Sequence, residues 1–212
     1  KPNEGDLLMV GEEELAEFPN NADEISGIVL DLQNLPPMND AEIEAILVSL
    51  SSHLSSSSLI LLRDGADRIE GLFRLVVDLD LDGAIVSVAT PGGGRAAAAL
   101  PRIGLASRAM GLDAQGRIIG IELEKQPSAE DLIIVRASGC SFVVGPIDGK
   151  NKISDISETI IPEIVGIMKE AGLPNFHNVG RRILRAKDME TAAISGLRLI
   201  GFERPLPMWL GN

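Results

Sequence analysis

The strongest constraint on the fold of this 212-residue chain is a repeated alternation. Short, nearly continuous apolar runs are separated by stretches with helical periodicity. The runs are Leu7-Val10, Gly27-Leu32, Leu59-Arg63, Ala84-Val88, Arg117-Glu122, Cys140-Gly145, Asn175-Val179 and Leu197-Phe202. Several lack the polar/apolar alternation of a strand with one wet face. Strands buried on both faces read this way, which favours a parallel sheet. Between them, Ile43, Ile46, Leu47, Leu50 and Leu54 form one stripe, and Asn39 and Glu42 are spaced as a capping box. Ser128 and Asp131 open a second helix in the same manner. Pro162 fits the first turn of a third helix and Gly172 its C-terminal cap, and residues 186–195 form another, closed by Gly196.

Eight strands, most followed by a helix, predict an α/β fold of the (β/α)8 TIM-barrel type as one domain over residues 1–212, without a full eighth helix. An open doubly wound sheet is the simpler alternative. With 45% hydrophobic residues the chain can fill a core. One cysteine, Cys140, excludes a disulfide framework and a cysteine-rich metal knuckle. No apolar run has the ~18 residues of a membrane span. A net charge of −12 argues against nucleic acid as a partner, and five Phe, one Trp and no Tyr leave little for base stacking. The first residue is Lys1, so a targeting segment upstream is open, and with it the compartment: cytoplasm, or an organelle matrix or stroma.

In a barrel the strand C-termini face the active site. They collect Asp31, Arg63, the Thr90-Gly94 turn, Glu122, Asp148 and His177. Carboxylates suit Mg²⁺ or Mn²⁺, and an arginine fork suits an anionic substrate. Other features read more plainly. Thr90-Gly94 lacks the Gly-Lys-Ser/Thr ending of a phosphate loop and is a strand-to-helix turn. Asn178-Arg182 stands where many barrels hold phosphate, but a solvated basic pair is the simpler account. His53 is a helix-end residue, Cys140 a small core residue, Glu124 faces away from Glu122, and Asp78, Asp80 and Asp82 mark a helix end and turn.

Four segments in order resemble the HpcH/HpaI aldolases, metal-dependent pyruvate aldolases grouped with citrate lyase β-type enzymes. They are Gly27-Asn34 with Asn39-Asp40, Leu61-Arg63, Asp82-Val88, and Ile119-Glu122 with Gly145-Asp148. The resemblance spans residues 5 to 204. It implies a divalent metal on Glu122 and Asp148, and a small 2-oxo acid bound through Arg63 and the loop Gly145, Pro146, Ile147 and Asp148. It implies Asp31 as half of an Asp-His base. The implied reaction is lyase chemistry, cleaving a 4-hydroxy-2-oxo acid to pyruvate and an aldehyde. The departures are specific. Asn34 replaces the histidine, and asparagine is no base near neutral pH. Gln33 replaces a glutamate, Pro36-Met38 is inserted, Gly120 stands where a glutamine is usual, and Gly149-Lys150 replaces Leu-Ser. Two functions follow: a divergent metal-dependent aldolase, as a homo-oligomer, or a catalytically inactive aldolase-like barrel serving as a structural or regulatory subunit of a larger assembly. A phosphate-binding barrel using Gly92-Gly94 and Asn178-Arg182 is a third.

Overall fold

The computed structural model describes residues 5–18, 25–89, 95–147 and 153–202, the side chains of 153–155 excepted. Six parallel strands form one sheet in the order β1-β2-β3-β4-β5-β6. They are β1 (Leu7–Val10), β2 (Gly27–Asp31), β3 (Leu59–Gly65), β4 (Gly83–Ser87), β5 (Ile118–Glu122) and β6 (Phe142–Val144). Spatial order follows chain order, and every described connection beyond β2 carries a helix. These are α2 (Asp40–Ser51), α3 (Ile69–Asp78), α4 (Ala96–Met110) and α5 (Ala129–Ala137); the short α1 (Glu12–Ala16) follows β1. This is half of a barrel wall, built as the continuous apolar runs require: all five residues of β2 and of β4 are buried.

The two sheet faces bury different sets. Val10, Ile28, Leu30, Leu62, Val86, Ile119 and Ile121 pack outward against Leu47 and Leu50 of α2, Phe73 and Val76 of α3, and Ile103 of α4. Each fully buried Leu, Ile or Phe contributes about 1.5–3 kcal/mol, so this layer dominates stability. The inner face is smaller. Val29, Leu61 and Ile85 form its core, flanked by half-buried Ile118, Phe142 and Val144.

Local chemistry explains the helix starts. The Asn39 side chain accepts from Glu42 N–H at 3.0 Å, and Glu42 Oε2 accepts from Asn39 N–H at 2.8 Å. Ser128 and Asp131 repeat this reciprocal pairing at α5. Asp188 caps α7 (Met189–Ser195), and Gly196, at φ 65, ends it.

Beyond β6 the chain departs from the barrel expectation. Asn175-Val179 is not a seventh strand: Phe176–Asn178 is a single 3-10 turn capped by Asn175, and His177 is exposed. Asn175, His177 and Asn178 would bring polar groups into a two-sided apolar environment, at a cost no ladder bond recovers. Leu197-Phe202 is not an eighth strand either. Its regular pairing is one parallel bridge, Ala186 to Leu199, and Ile200 and Phe202 remain exposed. Pro162 lies inside α6 (Ile153–Glu170), nine residues after its start rather than in its first turn. Ile164, Ile167 and Met168 pack with Ile133, Ala137 and Val179, and that apolar seam offsets the backbone bond Pro162 lacks. Residues 179–197 therefore lie over α4 and α5, outside the sheet, and close no barrel.

β3 also buries a carboxylate. Asp64, on β3, is 6% exposed and accepts from Gly65 N–H at 2.7 Å. Burial pushes its pKa up from the ordinary carboxylate value, against that hydrogen bond and Arg68. The folded state therefore holds this proton more tightly than the unfolded chain, and Asp64 subtracts stability as pH rises through and above the ordinary range. Asp64→Asn keeps the acceptor and removes the titration. Urea unfolding from about pH 4 to about pH 8 should show the variant gaining on wild type as pH rises; a constant difference would refute this.

Candidate functional site

The inner face ends in polar side chains. Strand periodicity puts Asp31, Arg63, Ser87 and Glu122 on the same face as Val29, Leu61 and Ile85, one step nearer the strand C-termini. Register aligns them: Asp31 is opposite Arg63, and Ser87 opposite Glu122. Four adjacent strands thus deliver four polar groups to one place.

Arg63 is their centre. Its guanidinium donates from Nε to Glu122 Oε2 at 2.8 Å, from Nη1 to Asp31 Oδ1 at 2.7 Å, and from Nη2 to Ser87 Oγ at 3.2 Å. Nη2 also lies 2.7 Å from Glu122 Oε2. Arg63 is 6% exposed, Asp31 0%, and the Glu122 side chain 18%. Burial acts to lower the Arg63 pKa, but hydrogen bonds and charge from Asp31 and Glu122 outweigh it and raise the pKa overall. Asp31 is committed at both oxygens: Oδ1 also accepts from Gln33 N–H at 3.2 Å, and Oδ2 accepts from Asn34 Nδ2 at 2.7 Å. Asn34, standing where the resemblance expects a histidine, therefore clamps Asp31 as a hydrogen-bond donor.

The glycine at 120 has a geometric cause. A Cβ there would lie 2.3 Å from the Phe142 ring, which fills the inner face beside Glu122. A long side chain at this position and the ring of Phe142 exclude each other. This pairing of Gly120 with Phe142 was not read from the sequence. The available signal was a glycine inside an apolar strand, which often marks a close approach.

Other expected site residues fall elsewhere. Gly145 abuts the loop after β5, where an added Cβ would come within 2.8 Å of Pro127 and 2.9 Å of the Lys125 carbonyl. Pro146 and Ile147 are exposed. Asp148, Gly149-Lys150 and the Thr90-Gly94 turn lie outside the described residues. His53 follows α2 and stands 6.2 Å from the Phe18 ring. Cys140 is 1% exposed, and burial pushes its thiol up to about 12, far from a nucleophile's range. Asp82 accepts from Ile60 N–H, Asp80 pairs with Arg117 and Asp78 with Arg74, so these three are turn and surface residues.

The described residues by themselves do not fit a divalent cation; Asp148, the second implied ligand, lies outside them. Among the described residues no group of three or more His, Cys, Asp or Glu could hold a metal ion. Both carboxylates near the expected position are bound to Arg63, whose charge would oppose a dication.

No family model matches the sequence, and no curated protein is similar to it. The resemblance to HpcH/HpaI aldolases has no whole-chain support. Solved structures do match. A DHODH from Eimeria tenella, in complex with ferulenol, aligns over 74% of this chain and 54% of its own, with 14% identity and a TM-score of 0.53. The fold is of the TIM-barrel type. A mandelate racemase/muconate lactonizing enzyme from a marine actinobacterium, in complex with magnesium, aligns over 71% of this chain and 55% of its own at 10% identity. Its TM-score, 0.35, is too low to inform the chain path. The chain spans about half the length of the structures it matches. The six-stranded sheet agrees with a half-barrel, while the complete (β/α)8 barrel expected from eight apolar runs is not formed among the described residues. No helix of the described residues is long and apolar enough to cross a membrane.

Proposed function

We propose that this chain is a non-catalytic barrel-type protein, serving as a structural subunit of a larger assembly. The engagement of Arg63 by partners inside the fold carries the proposal. Every guanidinium nitrogen has an internal partner, two of the partners are carboxylates, and the group is buried. An anionic substrate would have to displace Asp31 or Glu122 and leave a carboxylate unpaired in the barrel wall. Asp31, the carboxylate the resemblance assigns to the base, is held by Asn34 at Oδ2. The cluster instead ties β2, β3, β4 and β5 at their C-terminal ends. Open sheet edges among the described residues support the assembly role. β1 and β6 are the sheet edges, and Leu7 and Met9, in register with inner-face residues of β2, are 41% and 38% exposed. Parallel sheets are normally covered on both faces.

The second function is the divergent lyase, acting on a 4-hydroxy-2-oxo acid with Arg63 and Asp31 in its chemistry and Mg²⁺ or Mn²⁺ on Glu122 and Asp148. One observation favours it: the four polar groups stand at strand C-termini on the inner face, where barrel enzymes build active sites. It requires Glu122 to leave Arg63.

Calorimetric titration of Mn²⁺, with and without oxalate as a mimic of the pyruvate enolate, separates the two. The structural role predicts no oxalate-dependent Mn²⁺ binding, and a Glu122→Ala variant indistinguishable from wild type in this titration. Mn²⁺ binding that tightens with oxalate and is lost in Glu122→Ala would overturn it.

A further inference from the structure

A second site lies on the outside of the half-barrel, away from Arg63. A small, half-open pocket of about 70 Å³ lies between α4, the C-terminal end of α5 and the segment around α7. Leu100, Pro101, Ala137, Leu184 and Leu197 give it an apolar wall. Gly104 lets the layers close: a Cβ there would lie 2.5 Å from the Ser138 carbonyl oxygen. The hydroxyls that reach the pocket are spent locally. Thr191 donates to Asp188, Ser195 to the Thr191 carbonyl, and Ser138 to the Ile134 carbonyl.

The remaining polar groups are cations. Arg108 and Arg181 border the pocket, and no acidic residue lines it. Neither arginine is ion-paired with a described residue, in a chain with 31 acidic side chains against 19 basic. Arg74, Arg95, Arg102 and Arg117 have carboxylate partners, whereas Arg136, Arg182, Arg185 and Arg198 share the unpaired state among the described residues. The last turn of α4 favours a cation at 108 through the helix dipole. That does not account for Arg181, whose Nη2 donates to the Ser195 carbonyl at 2.6 Å and so is anchored with donors to spare. Arg108 leans over Gly104: its Nη1 would lie 3.3 Å from a Cβ there.

We infer that this pocket binds an amphipathic anion: a small molecule with an apolar chain or ring against Leu100, Leu184 and Leu197, and a carboxylate or phosphate head between Arg108 and Arg181. The mix of apolar wall with few charged groups is the usual chemistry of small-molecule sites. Planar guanidinium forks match either head group bidentately. The site is independent of the strand-end cluster, so its failure would leave the proposed structural role untouched.

The test is isothermal titration of the 212-residue chain below the micelle limit with hexanoate, octanoate, decanoate, decyl phosphate, decanol and inorganic phosphate. Saturable decanoate binding is expected, weakening by up to about fourfold for each methylene removed. Arg108→Gln and Arg181→Gln should each weaken it about tenfold. Both side chains are exposed, and circular dichroism will confirm that both variants keep the wild-type fold. Decanol should bind more weakly than decanoate to wild type, and equally well to the Arg108→Gln/Arg181→Gln double variant and to wild type. Comparison of decanoate with decyl phosphate assigns the head group. No saturable binding, binding indifferent to both arginines, or inorganic phosphate binding as tightly as decyl phosphate would each overturn the inference. Leu184→Asp is the converse control: it should abolish decanoate binding with both arginines intact, and unchanged affinity would also overturn it.

Discussion

Arg63→Met is expected to destabilise the protein by about 3–5 kcal/mol in urea unfolding. The guanidinium is shared by Asp31, which is fully buried, and Glu122, which is mostly so. Removing it leaves two carboxylates facing each other across β3 with no counter-charge. The cost comes from those stranded charges and not from the worth of the ion pairs, which are weak sources of net stability when buried. A triple variant distinguishes the two. Asp31→Asn/Arg63→Met/Glu122→Gln removes the charges together, and should recover more than half of the loss. A cost below about 1 kcal/mol for Arg63→Met would show that water replaces the guanidinium and that the network is dispensable. An Arg63→Met variant that keeps its stability but loses a measurable lyase turnover would move Arg63 into the chemistry and overturn the structural role.

Gly120→Gln is expected to cost about 1–3 kcal/mol, from overpacking against Phe142. The added Cβ alone would sit 2.3 Å from the ring, inside van der Waals contact, where Phe142 packs with Ile85 and Ile118. Phe142 can yield only by leaving its place over Gly120. Phe142→Ala by itself should also destabilise, through lost burial. The double variant Gly120→Gln/Phe142→Ala should fall short of the summed losses by more than about 1 kcal/mol, since the two residues share one space. Strict additivity in the cycle would mean that the ring does not lie over residue 120. The same cycle bears on function. A glutamine at 120 belongs beside a metal in the aldolase resemblance, and in this chain Phe142 occupies its volume.

The reciprocal caps at Asn39/Glu42 and Ser128/Asp131, and the burial of Gly27–Asp31 and Gly83–Ser87 on both faces, were legible because each depends on residues within one turn or one strand. Asn175-Val179 and Leu197-Phe202 misled for the opposite reason. Each has enough apolar character for a strand, and only the space available decides whether a ladder forms. Here the preceding segment, α6, pins Val179 against Ile133 and Ala137, and the chain continues over the helices instead of joining β6.

The site divides in the same way. That Asp31 and Glu122 end their strands, and Arg63 lies two residues short of the end of β3, is a property of the sequence, because period-two alternation and the apolar runs fix both their face and their level. That they neutralise one another is not. Ion pairing across 32 and 59 residues of chain depends on the register of β2 against β3 and on the curl that brings β5 within reach of Arg63. The sequence by itself determined a parallel α/β wall and the polar groups at its C-terminal edge, since local hydrophobicity suffices for both. Tertiary structure alone decided that the wall has six strands among the described residues and that Arg63 turns its donors inward, because strand closure and charge pairing are contests between distant segments for the same space and the same partner.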